Sequence, residues 1–239
     1  GFQKYHEQSA QVWERQALIK ARAVAGANEL ASVVEDVVTQ FVYRSPLTIE
    51  EAREIRRLRG RMERELARES DRRLNIKTGR GGLVDVEFVT QMLQLHYGAK
   101  DPQVRSRNTL EALRLLEAAG VLSAADDSIL SVGYRFLRGV EFALRLAHDR
   151  PVEDLDREDI DLGLVARRLS FPGPAHRAAG LLWEEYKRRR EAIRSCYDKW
   201  FDRADQGFAC SYTRPAVSRM ADERVRFDVC AEERRFQGC

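Results

Sequence analysis

The sequence predicts an all-α protein, a multi-helix bundle, and three observations carry that prediction. A third of the 239 residues are charged while only 15 are Gly and 6 are Pro, a composition that suits long amphipathic helices better than a turn-rich β fold. Apolar residues recur at helical spacing through most of the first 201 positions. Three polar-x-x-acid pairs, Thr48 with Glu51, Asn108 with Glu111 and Ser123 with Asp126, mark helix starts. The length is enough to bury a sizeable core in one large domain or two small ones.

Taken in order, a first helix is expected over residues 5–21, with Val12, Trp13, Ala17 and Leu18 apolar and Trp13 packing inward. A short β element is expected near residues 20–26, at Ala21 to Ala25. A second helix covers residues 28–43, and Ser45-Pro46 breaks it because the residue before Pro is pushed out of helical dihedrals. From Thr48 a charged helix runs to about Ser70. Ile55, Leu58, Met62 and Leu66 form its buried stripe, and Arg56, Arg57, Arg59, Arg61 and Arg64 cover much of the rest. Interleaved Glu63, Glu65 and Glu69 make this a solvated face in preference to a nucleic-acid surface.

Residues 83–97 are apolar on almost every side, which marks a central, buried helix. Two further helices end near Ala119 and Asp149. Gly120 stops the first, and the second turns Tyr134, Phe136, Leu137, Val140, Phe142, Leu144 and Leu146 to the core and pairs Glu141 with Arg145. A short helix near 160–169 ends before Pro172-Gly173-Pro174. A last one, 175–201, packs through Leu181, Leu182, Trp183, Tyr186, Ile193, Tyr197 and Trp200, with Lys187 to Arg190 on a solvated face. No helical period is sustained after about Phe201.

Function classes narrow next. With 41 basic against 38 acidic residues the net charge is only +3, so no strong field for nucleic acid follows. No apolar run approaches the ~20 residues of a membrane span, and a cytoplasmic protein is expected. Cys196, Cys210, Cys230 and Cys239 form no C-x-x-C pair, and the four histidines have no nucleophile motif beside them. No metal ligands and no catalytic residues are identified.

The segment Lys77-Thr78-Gly79-Arg80-Gly81-Gly82 carries the one candidate ligand loop. Its glycines permit close backbone approach, the following helix amino terminus favours anions, and Lys77 and Arg80 add charge. A tight structural turn is the competing reading. Asp85 and Glu87 are stabilised by the helix dipole, and two residues apart on a helix they do not face one another. A second cationic group, Arg15, Lys20 and Arg22, lies on or beside the first helix, and arginine there suits bidentate phosphate recognition.

Together these residues resemble the bacterial glutamine synthetase adenylyltransferases. The resemblance runs in order through residues 13–22, 75–88, Gln91-x-x-Gln94-Leu95, Pro102-x-Val104-Arg105-x-Arg107-x-Thr109-Leu110, Ala119-Gly120-x-Leu122 and Tyr134-x-Phe136-Leu137-Arg138-x-x-Glu141. It implies an enzyme with two similar halves, each joining a nucleotidyltransferase domain to a helical bundle. One half transfers AMP from ATP to a tyrosine of glutamine synthetase, and the other removes it by phosphorolysis under control of the PII signalling protein.

By that resemblance the chain is expected to be the carboxyl-terminal, adenylylating half. Residues 1–26 would end a truncated nucleotidyltransferase domain, 27–201 form the helical bundle, and 202–239 make an atypical, disordered or non-native tail. ATP and Mg2+ are expected for the full-length enzyme. Lys77, Gly79, Arg80, Gly81, Gly82, Arg15, Lys20 and Arg22 are its candidate nucleotide-binding residues here, and Asp85 and Glu87 its supporting acids. The family's Gly-Ser and Asp-x-Asp metal motif does not occur in this sequence, so the piece alone is expected to be inactive. A helical docking module for glutamine synthetase or PII is the alternative; neither membrane nor nucleic acid is an expected partner.

Overall fold

The computed structural model describes residues 4–5 and 10–208. Its helices are α1 Val12–Leu18, α2 Asn28–Val42, α3 Ile49–Met62, α4 Leu83–Tyr97, α5 Thr109–Ala118, α6 Ala124–His148, α7 Leu162–Arg168 and α8 Ala175–Asp205. A wider π turn, Glu63–Ala67, follows α3, and Arg68 at φ 47° closes it.

The helix starts form as their side chains dictate. Thr48 accepts from the Glu51 amide at 3.1 Å while Glu51 accepts from the Thr48 amide at 2.9 Å, a reciprocal capping box. Asn108 accepts from the Leu110 and Glu111 amides, and Ser123 from that of Asp126. Gly120, at φ 73°, ends the α5 segment in the left-handed conformation that favours Gly.

The bundle is built around α4, which packs against α1, α3, α5, α6 and α8. Only Glu87 and His96 of its fifteen residues are not buried. Two glutamines tie it to its surroundings. Gln91 accepts from Gln16 of α1 at 2.8 Å, and Gln94 donates to the carbonyls of Val104 and Ser106.

Several expectations are corrected. The β element lies elsewhere: residues 21–25 are irregular, and the two described strands are β1, Arg73–Asn75, and β2, Asp154–Asp156, antiparallel with Asn75 opposite Asp154. Three-residue strands rich in charge carry no alternation to read. Trp13 is 50% exposed; α1 turns Val12, Arg15 and Gln16 inward instead. On α3 the buried stripe is Ala52, Ile55 and Arg59, while Leu66 falls in the π turn and is exposed. Phe142 and Leu146 point outward from α6, and Leu181 is partly exposed on α8. Helix α8 continues to Asp205, and Phe208 stacks on His96 with ring centroids 3.8 Å apart, so residues 202–208 belong to the bundle. The rest of the expected tail lies outside the described residues.

Cys196 sits on the buried face of α8, 3% exposed, with Sγ 3.8 Å from Asp126 Oδ1. Burial and the Asp126 charge push its thiol up to about 12, and only the thiolate reacts readily. Iodoacetamide at pH 8 should leave Cys196 unmodified in the native chain and label it once denaturant is added, as read by peptide mass mapping. Native labelling as fast as a free thiol would contradict the packing of α6 against α8.

Candidate functional site: the glycine turn and its cations

The 77–82 turn is held from all sides by buried charge. Asp85, wholly buried in the first turn of α4, accepts from Arg59 Nε at 2.5 Å through Oδ1 and from the Gly81 amide at 2.7 Å through Oδ2. Arg59 is equally buried and also donates from Nη2 to the Gly79 carbonyl at 2.8 Å. From α8, Arg194 Nη1 lies 3.4 Å from Asp85 Oδ2 and 2.7 Å from Glu63 Oε2. Burial pushes the Asp85 carboxyl above its ordinary range, against the pull of Arg59, Arg194 and the Gly81 amide.

Asn75 shapes the entry to the turn by accepting from the amides of Lys77 and Thr78 and from the Thr78 hydroxyl. Glu69 accepts from the Asn75 amide at 2.8 Å and from Arg190 at 2.7 Å, and Arg190 also donates to the Arg80 carbonyl at 2.7 Å. Gly81 adopts φ 70°, and a Cβ there would overlap the Arg190 carbonyl. Glycine is therefore required twice at this position, by conformation and by closeness.

This geometry reassigns the glycines and the helix amino terminus. The first three amides of α4, on Leu83, Val84 and Asp85, are donated to the carbonyls of Ile76, Lys77 and Gly82 at 2.9, 3.0 and 3.1 Å. The Asp85 carboxylate itself takes the place an anion would occupy at the turn. Gly79, Gly81 and Gly82 are buried and serve the close packing of the turn. What faces outward is side chain: Lys77, 3.6 Å from Glu153, and Arg80, 3.7 and 3.8 Å from Glu191 and Asp198, are exposed.

The second cationic group separates. Arg15 is 1% exposed and donates to the carbonyls of Val42 and Ser45 and to Glu51 Oε1, clamping α1 onto the end of α2 and the cap of α3. Its donors are committed to the fold. Lys20 Nζ pairs with Glu87 Oε1 at 2.9 Å, and the same oxygen accepts from the Tyr134 hydroxyl at 2.9 Å. Burial first, then the charge of Glu87, pushes the Tyr134 hydroxyl up to about 12. Arg22 is exposed and makes no ion pair among the described residues.

Sequence reasoning missed Arg59, Arg190, Arg194 and Tyr134 as partners of the site. One signal was present: Arg59 falls on the same face as Ala52 and Ile55, and Asp85 stands in a helix otherwise apolar. Two opposite charges in apolar settings are an expected buried pair.

A family model described as Glutamate-ammonia ligase adenylyltransferase matches residues 1–37, and one described as GlnD PII-uridylyltransferase matches residues 50–201. A relative from Streptomyces avermitilis, named a bifunctional glutamine synthetase adenylyltransferase/adenylyl-removing enzyme, is 36% identical over 84% of the chain. The chain belongs to the glutamine synthetase adenylyltransferase family. Proteins of the same name from Hahella chejuensis and Xanthomonas axonopodis pv. citri are 32% and 38% identical over 82% and 69% of it. The chain spans about a fifth of the length of these relatives, 20%, 19% and 18% respectively.

In this adenylyltransferase-family chain the Arg59–Asp85 pair should carry much of the stability of the turn. Arg59→Ala leaves a buried carboxylate facing an empty site, and denaturant unfolding should report a loss of about 3–5 kcal/mol. The double variant Arg59→Met/Asp85→Leu should lose less than the sum of its single changes. A loss below about 1 kcal/mol for Arg59→Ala would place the pair in solvent.

Proposed function

We propose that this chain is the helical portion of an enzyme that transfers AMP from ATP to a tyrosine of glutamine synthetase, and that it comes from the adenylylating half. The observation that supports the family chemistry, without choosing between its two halves, is the match over most of the chain to relatives named for adenylylation and its reversal. Removal of AMP by phosphorolysis belongs to the same family chemistry, and PII signalling protein is the proposed regulator in a cytoplasmic setting. The 239-residue piece alone is proposed to be inactive.

Within that enzyme the chain's contribution is electrostatic. Lys77 and Arg80 project from a turn whose backbone is held in place, and exposed cations so placed would attract a polyphosphate. Lys20, held by Glu87, and Arg22 extend the cationic surface. Bound ATP would supply the adenylyl group and a pyrophosphate leaving group, whose negative charge these side chains would offset. Asp85 and Glu87 do not fit a magnesium site. The first is sealed between two arginines, and the second is committed to Lys20 and Tyr134.

The test is ATP titration and AMP transfer in the full-length enzyme carrying Lys77→Ala, Arg80→Ala or Lys20→Ala. Losing one charge-assisted contact, worth about 1.5–3 kcal/mol, should lower kcat/KM by about tenfold or more. Unchanged kinetics in all three would reduce the turn to scaffolding. Unchanged nucleotide binding together with weakened retention of glutamine synthetase or PII would favour the docking reading.

A further inference from the structure

The end of α6 and the start of α7 gather three side chains that take no part in the glycine turn. His148 is the last residue of α6, and Asp159 and Asp161 lie between β2 and α7. His148 Nε2 stands 2.8 Å from Asp159 Oδ2, and one ligand atom from each of the three residues lies within 4.8 Å of the others. All three side chains are half-buried.

Asp161 is drawn into the same group. It occupies the N-cap of α7, where an aspartate ordinarily accepts a hydrogen bond from the first-turn amides. Its carboxylate makes no capping bond and instead stands within the group with Asp159 and His148. Its amide donates to Asp159 Oδ1 at 2.9 Å, which satisfies the backbone and leaves the carboxylate unexplained. Two carboxylates beside an imidazole in one half-buried turn are a donor set that a cation would neutralise. His148 supplies charge only when protonated.

We propose that His148, Asp159 and Asp161 form a binding site for a first-row divalent cation of the zinc class. One imidazole nitrogen with two carboxylate oxygens is a borderline donor set that suits zinc better than the all-oxygen preference of magnesium or calcium. Bonds of about 2.0–2.2 Å place tetrahedral ligands about 3.5 Å apart, so the ion would open the 2.8 Å His148–Asp159 contact slightly and draw the wider pairs, within 4.8 Å, together. Three protein ligands leave a position for water. The bound ion would tie the end of α6 to the first turn of α7, beside Asp149 at φ 48°, and so add a staple to two helices that already pack against each other.

The test is calorimetric titration of Zn2+ into the 239-residue chain carrying Cys210→Ser, Cys230→Ser and Cys239→Ser, which removes competing thiols beyond the described residues. Thermal unfolding with and without Zn2+ accompanies it. One equivalent should bind and raise Tm. His148→Ala and Asp161→Asn should each weaken binding by at least about tenfold and abolish the Tm rise, while the exposed His176→Ala should change neither. Asp161→Asn keeps the shape of a side chain that caps nothing, so it preserves the test should His148→Ala unfold. Absence of binding, or binding that survives both substitutions, overturns the proposal.

Discussion

The ion pair between Arg59 and Asp85 is the constraint from which the rest of the bundle's centre follows. Two opposite charges are wholly removed from water, and each is tolerable because the other and the turn's own backbone pair with it, with Glu63 3.5 Å from the remaining Arg59 nitrogen. Asp85 fixes Gly81, Arg59 fixes Gly79, and Arg194 closes the arrangement from α8. Helices α3, α4 and α8 are therefore registered against one another by electrostatics as well as by apolar packing. Central helix α4 is apolar on almost every side, but an apolar cylinder alone has no preferred rotation. The buried pair gives it one.

That arrangement changes what a glycine-rich turn before a helix means. Such turns offer open amides to anions when their donors are unused. Here the amides of Lys77, Thr78, Gly81 and Gly82 and the first three of α4 are taken, the carboxylate of Asp85 sits where an anion would, and glycine at 81 is demanded by the closeness of the α8 backbone at Arg190. The consequence is a rigid platform with Lys77 and Arg80 outside it. Lys20 is aimed in a similar way: Glu87 holds it and Tyr134 holds Glu87, so a chain of hydrogen bonds from α6 fixes a cation near the end of α1. In the proposed function, charge placed in this way would offset that of a bound polyphosphate.

Much of the fold was legible because its cues are local. The Thr48, Asn108 and Ser123 starts, the Gly120 stop and the unbroken apolarity of α4 each depend on residues within a few positions, and each element stands where those residues put it. The long-range partners were harder to read. Arg59 looked like one of several arginines on a solvated face because nothing within its own helix reveals a carboxylate 26 residues away. Arg190 was hidden in a basic run whose other members pair with Glu184 and Glu185 on their own helix. Arg15 suggested phosphate recognition, yet the unpaired carbonyls at the end of α2 supplied its acceptors. Strands β1 and β2 are too short and too charged for period-two alternation to show.

Amide hydrogen exchange across the 76–85 turn tests the central claim most directly. If the buried pair locks the turn into the core, the amides of Gly81, Leu83 and Val84 exchange only through global unfolding, as slowly as that of Leu93 within α4. Fast exchange of those three amides while Leu93 stays protected would contradict it, and would return the turn to an open loop with amides available to a ligand.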